Sequence, residues 1–153
     1  MILRLLHPGS AGGTAFDELA RRYQKRLGRH IRCEEQFVKA SKERDRPRAL
    51  AEEAERLARY VKPRDRTVAL TPFDKPWSSE HLAARLQAWM NSGATAVNFL
   101  LGSAEGLSGE AIERADERWS FGPLTLPHDL ARVVLWEQLY RASTILRGEP
   151  YHK

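Results

Sequence analysis

An α/β domain built on a largely parallel sheet is the fold class that this sequence predicts, and three observations carry it. Five strand-like segments alternate with five helix-like segments along the chain. The segments at residues 67–71 and 94–101 read as compact buried strands, each running into a proline or a glycine turn. With 153 residues, 42% of them hydrophobic and 29% charged, the chain is long enough for one real core and too short for two. A single domain over residues 1–153 is therefore expected.

The elements follow in order. Residues 2–6 form a short buried strand, and the breaker-rich run from His7 to Gly13 forms a loop. Thr14 opens a helix on which Phe16, Leu19, Ala20, Tyr23 and Leu27 recur at helical spacing, while Arg21, Arg22, Lys25, Arg26 and Arg29 crowd the other faces until Gly28. Residues 31–38 suit a strand, and residues 39–48, almost without apolar side chains, predict a mobile charged loop. Good helix formers fill 49–61 before Pro63, and the strand at 67–71 ends at Pro72. Ser78 and Ser79 are caps for a helix over 80–91, with Leu82, Leu86, Trp89 and Met90 on one face. The strand at 94–101 runs straight into Gly102-Ser103-Ala104-Glu105-Gly106. A short helix over about 109–118 then leads to an irregular loop with a last short strand within 119–126. The final helix, residues 128–147, is apolar over most of its circumference, which implies burial on two sides. Pattern alone permits a homodimer packed through that helix or a central core position, and the homodimer is the preferred expectation.

Composition excludes several function classes. Cys33 is the one cysteine, so neither an intrachain disulfide nor a cysteine-rich metal site is expected. The five histidines show no paired ligand spacing, and no metal is expected. No nucleophile elbow, Walker loop or dinucleotide fingerprint is present. The opening apolar run is too short for a signal peptide or a membrane span, which makes a cytoplasmic protein the default. The net charge of +5 is unevenly placed. Residues 1–66 carry 17 basic and 10 acidic side chains, whereas residues 67–153 carry 8 and 10. An anionic partner facing the first half is implied.

In open parallel sheets ligands collect at the carboxyl ends of strands, and three such ends stand out here. They are Leu70-Thr71-Pro72, the turn from Gly102 to Gly106, and the loop from Phe121 to Leu126. A glycine turn after a buried strand lets main-chain groups approach a ligand closely. The chain closes on Tyr151-His152-Lys153, an aromatic, an imidazole and a cation suited to stacking on a base, exchanging a proton and meeting a phosphate.

Taken together these segments resemble the RlmH family, small SPOUT-class methyltransferases that modify N3 of a pseudouridine in 23S ribosomal RNA. The agreement runs through Lys75 with Ser78-Ser79-Glu80, Phe99-Leu100-Leu101-Gly102 with Glu105-Gly106-Leu107-Ser108, and Leu124-Thr125-Leu126-Pro127-His128. It continues through Leu130, Arg132, Val133, Glu137-Gln138-Leu139-Tyr140-Arg141-Ala142 and the closing Pro150-Tyr151-His152-Lys153. Local departures occur. The family usually carries Gly-Gly-x-x-Gly at 102–106, Asp at the position of Thr71, Gly at that of Asp74, and Pro at that of Asp129.

The resemblance implies a C-terminal trefoil knot whose loops bind S-adenosylmethionine, a homodimer, and the 23S rRNA of the assembled ribosome as substrate, without a separate RNA-binding domain. By motif position, Leu70, Gly102, Phe121, Gly122, Pro123, Leu124, Thr125 and Leu126 are the expected cofactor residues. Methylating an imide nitrogen needs a proton acceptor or an anion-stabilising cation. His128, His152 and Glu105 are the candidates for the proton. Arg132, Arg141 and Lys153 are those for negative charge on the base or phosphates, and Tyr151 is the residue to stack on or orient the base. Arg21, Arg22, Lys25 and Arg26, with the 39–48 loop, are expected to dock on RNA phosphates. The residues by themselves leave open a non-catalytic RNA- or ribosome-binding protein with a SPOUT-like fold, and a nucleotide-binding enzyme of another type.

Overall fold

In the computed structural model, which describes residues 1–10 and 12–153, the alternation of Leu3, Leu5 and His7 places all three on one face of strand β1 (Ile2–Pro8), where they are buried. The strand runs two residues further than expected, because His7 and Pro8 stay in register with Phe37 and Val38 of β2 (Arg32–Val38). Strands β3 (Arg66–Leu70), β4 (Ala96–Leu100) and β5 (Glu117–Trp119) complete a sheet of order β2-β1-β4-β3-β5 in which every pairing is parallel. The α/β class read from the sequence is the one observed.

Helix α1 (Ala15–Leu27) begins in a capping box: Thr14 accepts from the Asp17 amide, and Asp17 accepts from the Thr14 amide. Helix α2 (Arg46–Ala58) starts three residues before the expected position. The side chain of Asp45 accepts from the Arg48 amide at 3.1 Å, and Pro47 suits the first turn, so the charged segment orders into a helix as soon as a cap is available. Helix α3 (Ser79–Asn91) is capped by Ser78. Helix α4 (Gly109–Arg114) is shorter than the expected 109–118, because the Asp116 carboxylate accepts from the Thr67 amide and from Arg66 and so turns the chain into β5. The last strand lies at 117–119 rather than within 119–126. Past Trp119, Gly122 adopts φ +114° and two prolines follow, which no sheet ladder continues through.

The helices cover both faces. Leu3, Leu5, Val68, Val97 and Phe99 pack under α1, α3 and α5 (His128–Leu146), and on the other face Leu57 of α2 packs with Leu6, Val38 and Leu100 in a smaller cluster. Helix α5 is flanked by α1 on one side and α3 on the other, which accounts within one chain for its apolar circumference. Most of its apolar side chains are buried between them in the core, while Leu130 and Leu146 of the same helix remain exposed. Among the described residues, no helix is long and apolar enough to cross a membrane.

One charged group sits inside this packing. Arg132, 3% exposed, pairs with Asp17 of α1 and Glu35 of β2 and lies 5.2 Å from the Phe37 ring. The Arg132 guanidinium, helped by the Thr14 amide, holds the Asp17 carboxyl well below the usual carboxylate range despite burial. A depressed folded-state value contributes stability that is fully present once the unfolded carboxyl is ionised, above about pH 4, and that is lost as pH falls through the folded value. Arg132→Met leaves two carboxylates buried without their cation. Urea unfolding at neutral pH is expected to show a loss of about 3–5 kcal/mol, with a weaker dependence of stability on acid than in the parent protein.

Candidate functional site

The carboxyl ends of β3, β4 and β5 converge on one side of the sheet, and the loops leaving them enclose a cavity of about 180 Å³. Leu70 closes β3, Leu101 and Gly102 follow β4, and Trp119 ends β5. The loop after β5 brings Phe121, Gly122, Leu124, Thr125 and Leu126 to the wall. Seven of the eight residues expected at a cofactor pocket line this one cavity, and Pro123 stands outside the lining. Thr71, Pro72, Ser103, Ala104, Gly106, His128 and Ala131 complete it.

Main-chain geometry dictates the glycine at its edge. A Cβ on Gly102 would stand 2.2 Å from the carbonyl of Gly106 and 2.6 Å from the Leu107 nitrogen, so the turn closes on itself only without a side chain. The loop after β5 is fixed by Ser120, whose hydroxyl lies 3.1 Å from both the amide and the carbonyl oxygen of Gly122, and by the Thr71 amide donating to the Trp119 carbonyl at 3.0 Å. Where the RlmH pattern has a carboxylate directly after β3, this chain has Thr71, and its hydroxyl donates to Asp74. Asp74 itself does not line the cavity. Glu105, exposed on the same turn as Gly102, is held by Arg46 of α2 through a 3.0 Å ion pair.

His128 stands at the first residue of α5 and on the cavity wall. Its Nε2 lies 3.2 Å from Nδ1 of His7, and Nε2 of His7 lies 2.8 Å from Glu35. Its Nδ1 is 3.4 Å from Asp129. Burial, together with the facing His7, lowers the His128 pKa against the opposing pull of Asp129, which favours a neutral imidazole. The sequence reading missed His7 and Glu35. The signal was the period-2 run Leu3, Leu5, His7, which carries a polar residue onto a buried face. Arg132, expected to meet negative charge on a substrate, spends its charge inside the chain on Asp17 and Glu35.

The tail lies elsewhere. The Tyr151 hydroxyl donates to Glu137 at 3.0 Å, the Arg141 guanidinium pairs with the same carboxylate and sits 4.8 Å from the Tyr151 ring, and His152 contacts Glu80 at 2.9 Å. Burial, then the Glu137 hydrogen bond, raise the Tyr151 phenol above its ordinary range, so it stays a proton donor. Glu137 follows His128 by nine residues of helix, a rise of about 14 Å. One chain therefore does not place Tyr151 and His152 on the cavity, and Lys153 is exposed at the end. On α1, Arg21, Arg22 and Lys25 are exposed, Arg26 lies 5.6 Å from the Tyr140 ring, and none of the four has an ion-pair partner among the described residues. Cys33 is packed beneath this layer, and burial pushes its thiol up to about 12.

A family model described as "Predicted SPOUT methyltransferase" matches residues 1–152. A relative from Pseudomonas fluorescens named "Ribosomal RNA large subunit methyltransferase H" is 42% identical over 156 residues, covering 100% of both chains. A solved structure described as a probable methyltransferase from Bordetella pertussis aligns with a TM-score of 0.60 at 19% identity, over 92% of this chain and 93% of that one. A putative methyltransferase from Legionella pneumophila, solved in complex with the bound cofactor SAM, aligns with a TM-score of 0.50 at 15% identity, over 92% of this chain and 66% of that one.

The tightness at Gly102 is open to a paired test. Gly102→Ala forces a methyl group against main-chain atoms and is expected to cost about 1–3 kcal/mol in urea unfolding. Gly109→Ala, where nothing lies within 4 Å of the added carbon, is expected to be neutral or mildly stabilising at the start of α4.

Proposed function

The chain belongs to the SPOUT methyltransferase family, and from that premise we propose that it methylates N3 of a pseudouridine in the 23S rRNA of the assembled ribosome, with S-adenosylmethionine as methyl donor, as a cytoplasmic homodimer. The observation that supports this reading most is the cavity at the ends of β3, β4 and β5, walled by the segments that carry the family motifs. Its chemistry suits such a donor. Leu70, Leu101, Phe121 and Leu126 offer apolar walls for a planar heterocycle, while the turns at 102–106 and 120–126 offer main-chain donors and acceptors, as ligand pockets of this kind require. When bound, S-adenosylmethionine supplies an electrophilic methyl group on a sulfonium.

What the protein's own residues contribute is alignment, exclusion of water and a place for a proton. The segment 121–126 forms one wall of the cavity. The imide nitrogen of the base is a good nucleophile only as its proton leaves, and of the three candidates His128 alone lines the cavity, in a neutral state able to accept it. Glu105 is engaged by Arg46, and His152 lies against Glu80.

The RNA side of the site comes from the partner subunit in this reading. In their own chain Tyr151 lies against Glu137 in the middle of α5 and His152 against Glu80 of α3, and neither lines the cavity, so in this reading a second subunit brings the tail to it. Phe73 and Leu124, 95% and 76% exposed, belong to the two loops beside the cavity and give a partner chain an apolar surface to cover. The same loops, from the end of β3 to the start of α5, are those we read as forming the trefoil knot. Tyr151 then stacks on or orients the base, Arg141 and Lys153 meet its charge, and Arg21, Arg22, Lys25 and Arg26 dock on neighbouring phosphates.

Mass spectrometry of rRNA nucleosides after incubating ribosomes with protein and S-adenosylmethionine is expected to show one added methyl on pseudouridine. No added methyl anywhere in the rRNA would return the protein to a ribosome-binding role without chemistry. Deletion of residues 150–153 is expected to abolish methylation while calorimetric binding of S-adenosylmethionine persists. Changing Arg21, Arg22, Lys25 and Arg26 together to Ala is expected to weaken ribosome binding and flatten its salt dependence, with donor binding unaltered.

A further inference from the structure

Between the cavity and the interior, four ionisable side chains from three elements stand in hydrogen-bonding sequence. His128 of α5 faces the cavity; behind it come His7 of β1, Glu35 of β2 and, again from α5, Arg132. His7 is 1% exposed and touches no solvent, so it cannot itself meet a substrate. A histidine, a glutamate and an arginine buried together at this cost call for a use beyond packing, since apolar side chains would fill the same volume more cheaply.

The hydrogen bonds fix the protons at the Glu35 end of the chain. Glu35 accepts from Arg132 and, at 2.5 Å, from Gln24, so it is a carboxylate and His7 Nε2 must donate to it. Nδ1 of His7 lies 3.2 Å from His128 Nε2, so one hydrogen is shared between them, carried by His128 where His7 accepts and by His7 where it donates. Where His128 carries it, the bare nitrogen of His128 is Nδ1, 3.4 Å from the Asp129 carboxylate. The charged and titratable groups around the pair are Glu35 on β2, Asp129 and Arg132 on α5 and, behind Arg132, Asp17 on α1.

We propose that His7 is a positioning residue for the methyl-transfer reaction: with Glu35 it holds His128 in the Nε2–H tautomer and takes over that proton when His128 Nδ1 receives the one leaving the base. The inference rests on the methyltransferase reading above and adds the route of the proton. The imide N–H bond breaks and a bond to His128 Nδ1 forms. The hydrogen on His128 Nε2 passes to His7 Nδ1, and the positive charge comes to rest beside the Glu35 carboxylate rather than at the cavity wall. His128 is left neutral throughout, and no oxidant or further reactant is needed. Carboxylate-oriented imidazoles act in this way because a fixed tautomer presents the right nitrogen without rearrangement. Helical spacing makes the arrangement possible, since His128 and Arg132 lie four residues apart on one face of α5 and both reach the Glu35 end of the chain.

Nitrogen-15 NMR of histidine-labelled wild-type protein reads the tautomer without any substrate. Neutral His128 is expected with its proton on Nε2, and a proton on Nδ1 instead would overturn the relay. His7→Gln keeps an amide beside Glu35 but carries no titrating proton. It is expected to bind S-adenosylmethionine as the parent does and to transfer methyl to ribosomes at least about tenfold more slowly in a single turnover. Its rate–pH profile should move as well. With His7 gone the proton taken from the base has to stay on His128, so the acidic limb moves, whereas a purely structural role would scale the whole profile. An unchanged rate and limb in a folded His7→Gln protein would refute the inference, and if that variant does not fold, the wild-type tautomer decides. Should the wild-type protein itself fail to methylate ribosomes, it is the reaction assigned above that falls, and the tautomer still reports on the hydrogen-bond chain.

Discussion

The ion triad of Arg132 with Asp17 and Glu35 is the constraint on which the arrangement of this molecule turns. It ties the first turn of α1, the middle of an edge strand and the second turn of α5 at one buried point. Desolvating three charges costs several kcal/mol, so the triad is a weak source of net stability and a strong source of register. A slip of α5 by one residue would turn Arg132 through about 100° and strand both carboxylates. The same lock sets His128, one turn earlier, against His7. The packing of the largest helix and the orientation of the cavity imidazole thus have one cause.

The sheet explains why the cavity lies where it does. All five strands are parallel, so their carboxyl ends share one edge of the molecule, and the connections that leave β3, β4 and β5 are forced together there. Those connections are rich in glycine and proline because main chain approaches main chain, most tightly where Gly102 meets Gly106. Packing on α1 and α3 buries most of the apolar side chains of α5 within the chain and leaves Leu130 and Leu146 exposed. The two most exposed large apolar side chains lie outside regular structure. Phe73 and Leu124 leave apolar surface in water on loops next to the cavity, where a second subunit would remove it.

Much of this was legible in the residues. Buried strands at 67–71 and 94–101, caps at Thr14 and Ser78, and the glycine turn after β4 are local signals, and the structure places all of them where local physics puts them. The start of α2 was legible too, in Asp45 followed by Pro47, but a run of charges from Lys42 to Arg48 hides it. The end of α4 and the place of β5 were not legible, because both depend on Asp116 reaching Thr67, 49 residues away. At the site, motif spacing marked the loops around the cavity. It misjudged Arg132, whose carboxylates lie 115 and 97 residues distant in sequence, and it overlooked His7, which looks like the start of a loop until the partner strand is known.

Helix α1 shows how one element serves two opposite electrostatic demands. Its inward side and first turn carry Asp17, which the capping box and Arg132 both require as an anion. Its outward side and last turns carry Arg21, Arg22 and Lys25, exposed and unpaired among the described residues. Acid at the N-terminal end and base at the C-terminal end both complement the helix dipole, so neither demand works against the helix itself. The positive excess of the first half of the sequence therefore costs the fold little. It leaves a cationic face rigidly attached, through Asp17 and Arg132, to the helix that carries His128. Phosphates docked on α1 would be registered against the cavity by the same buried triad, which ties α1 to the helix that carries His128.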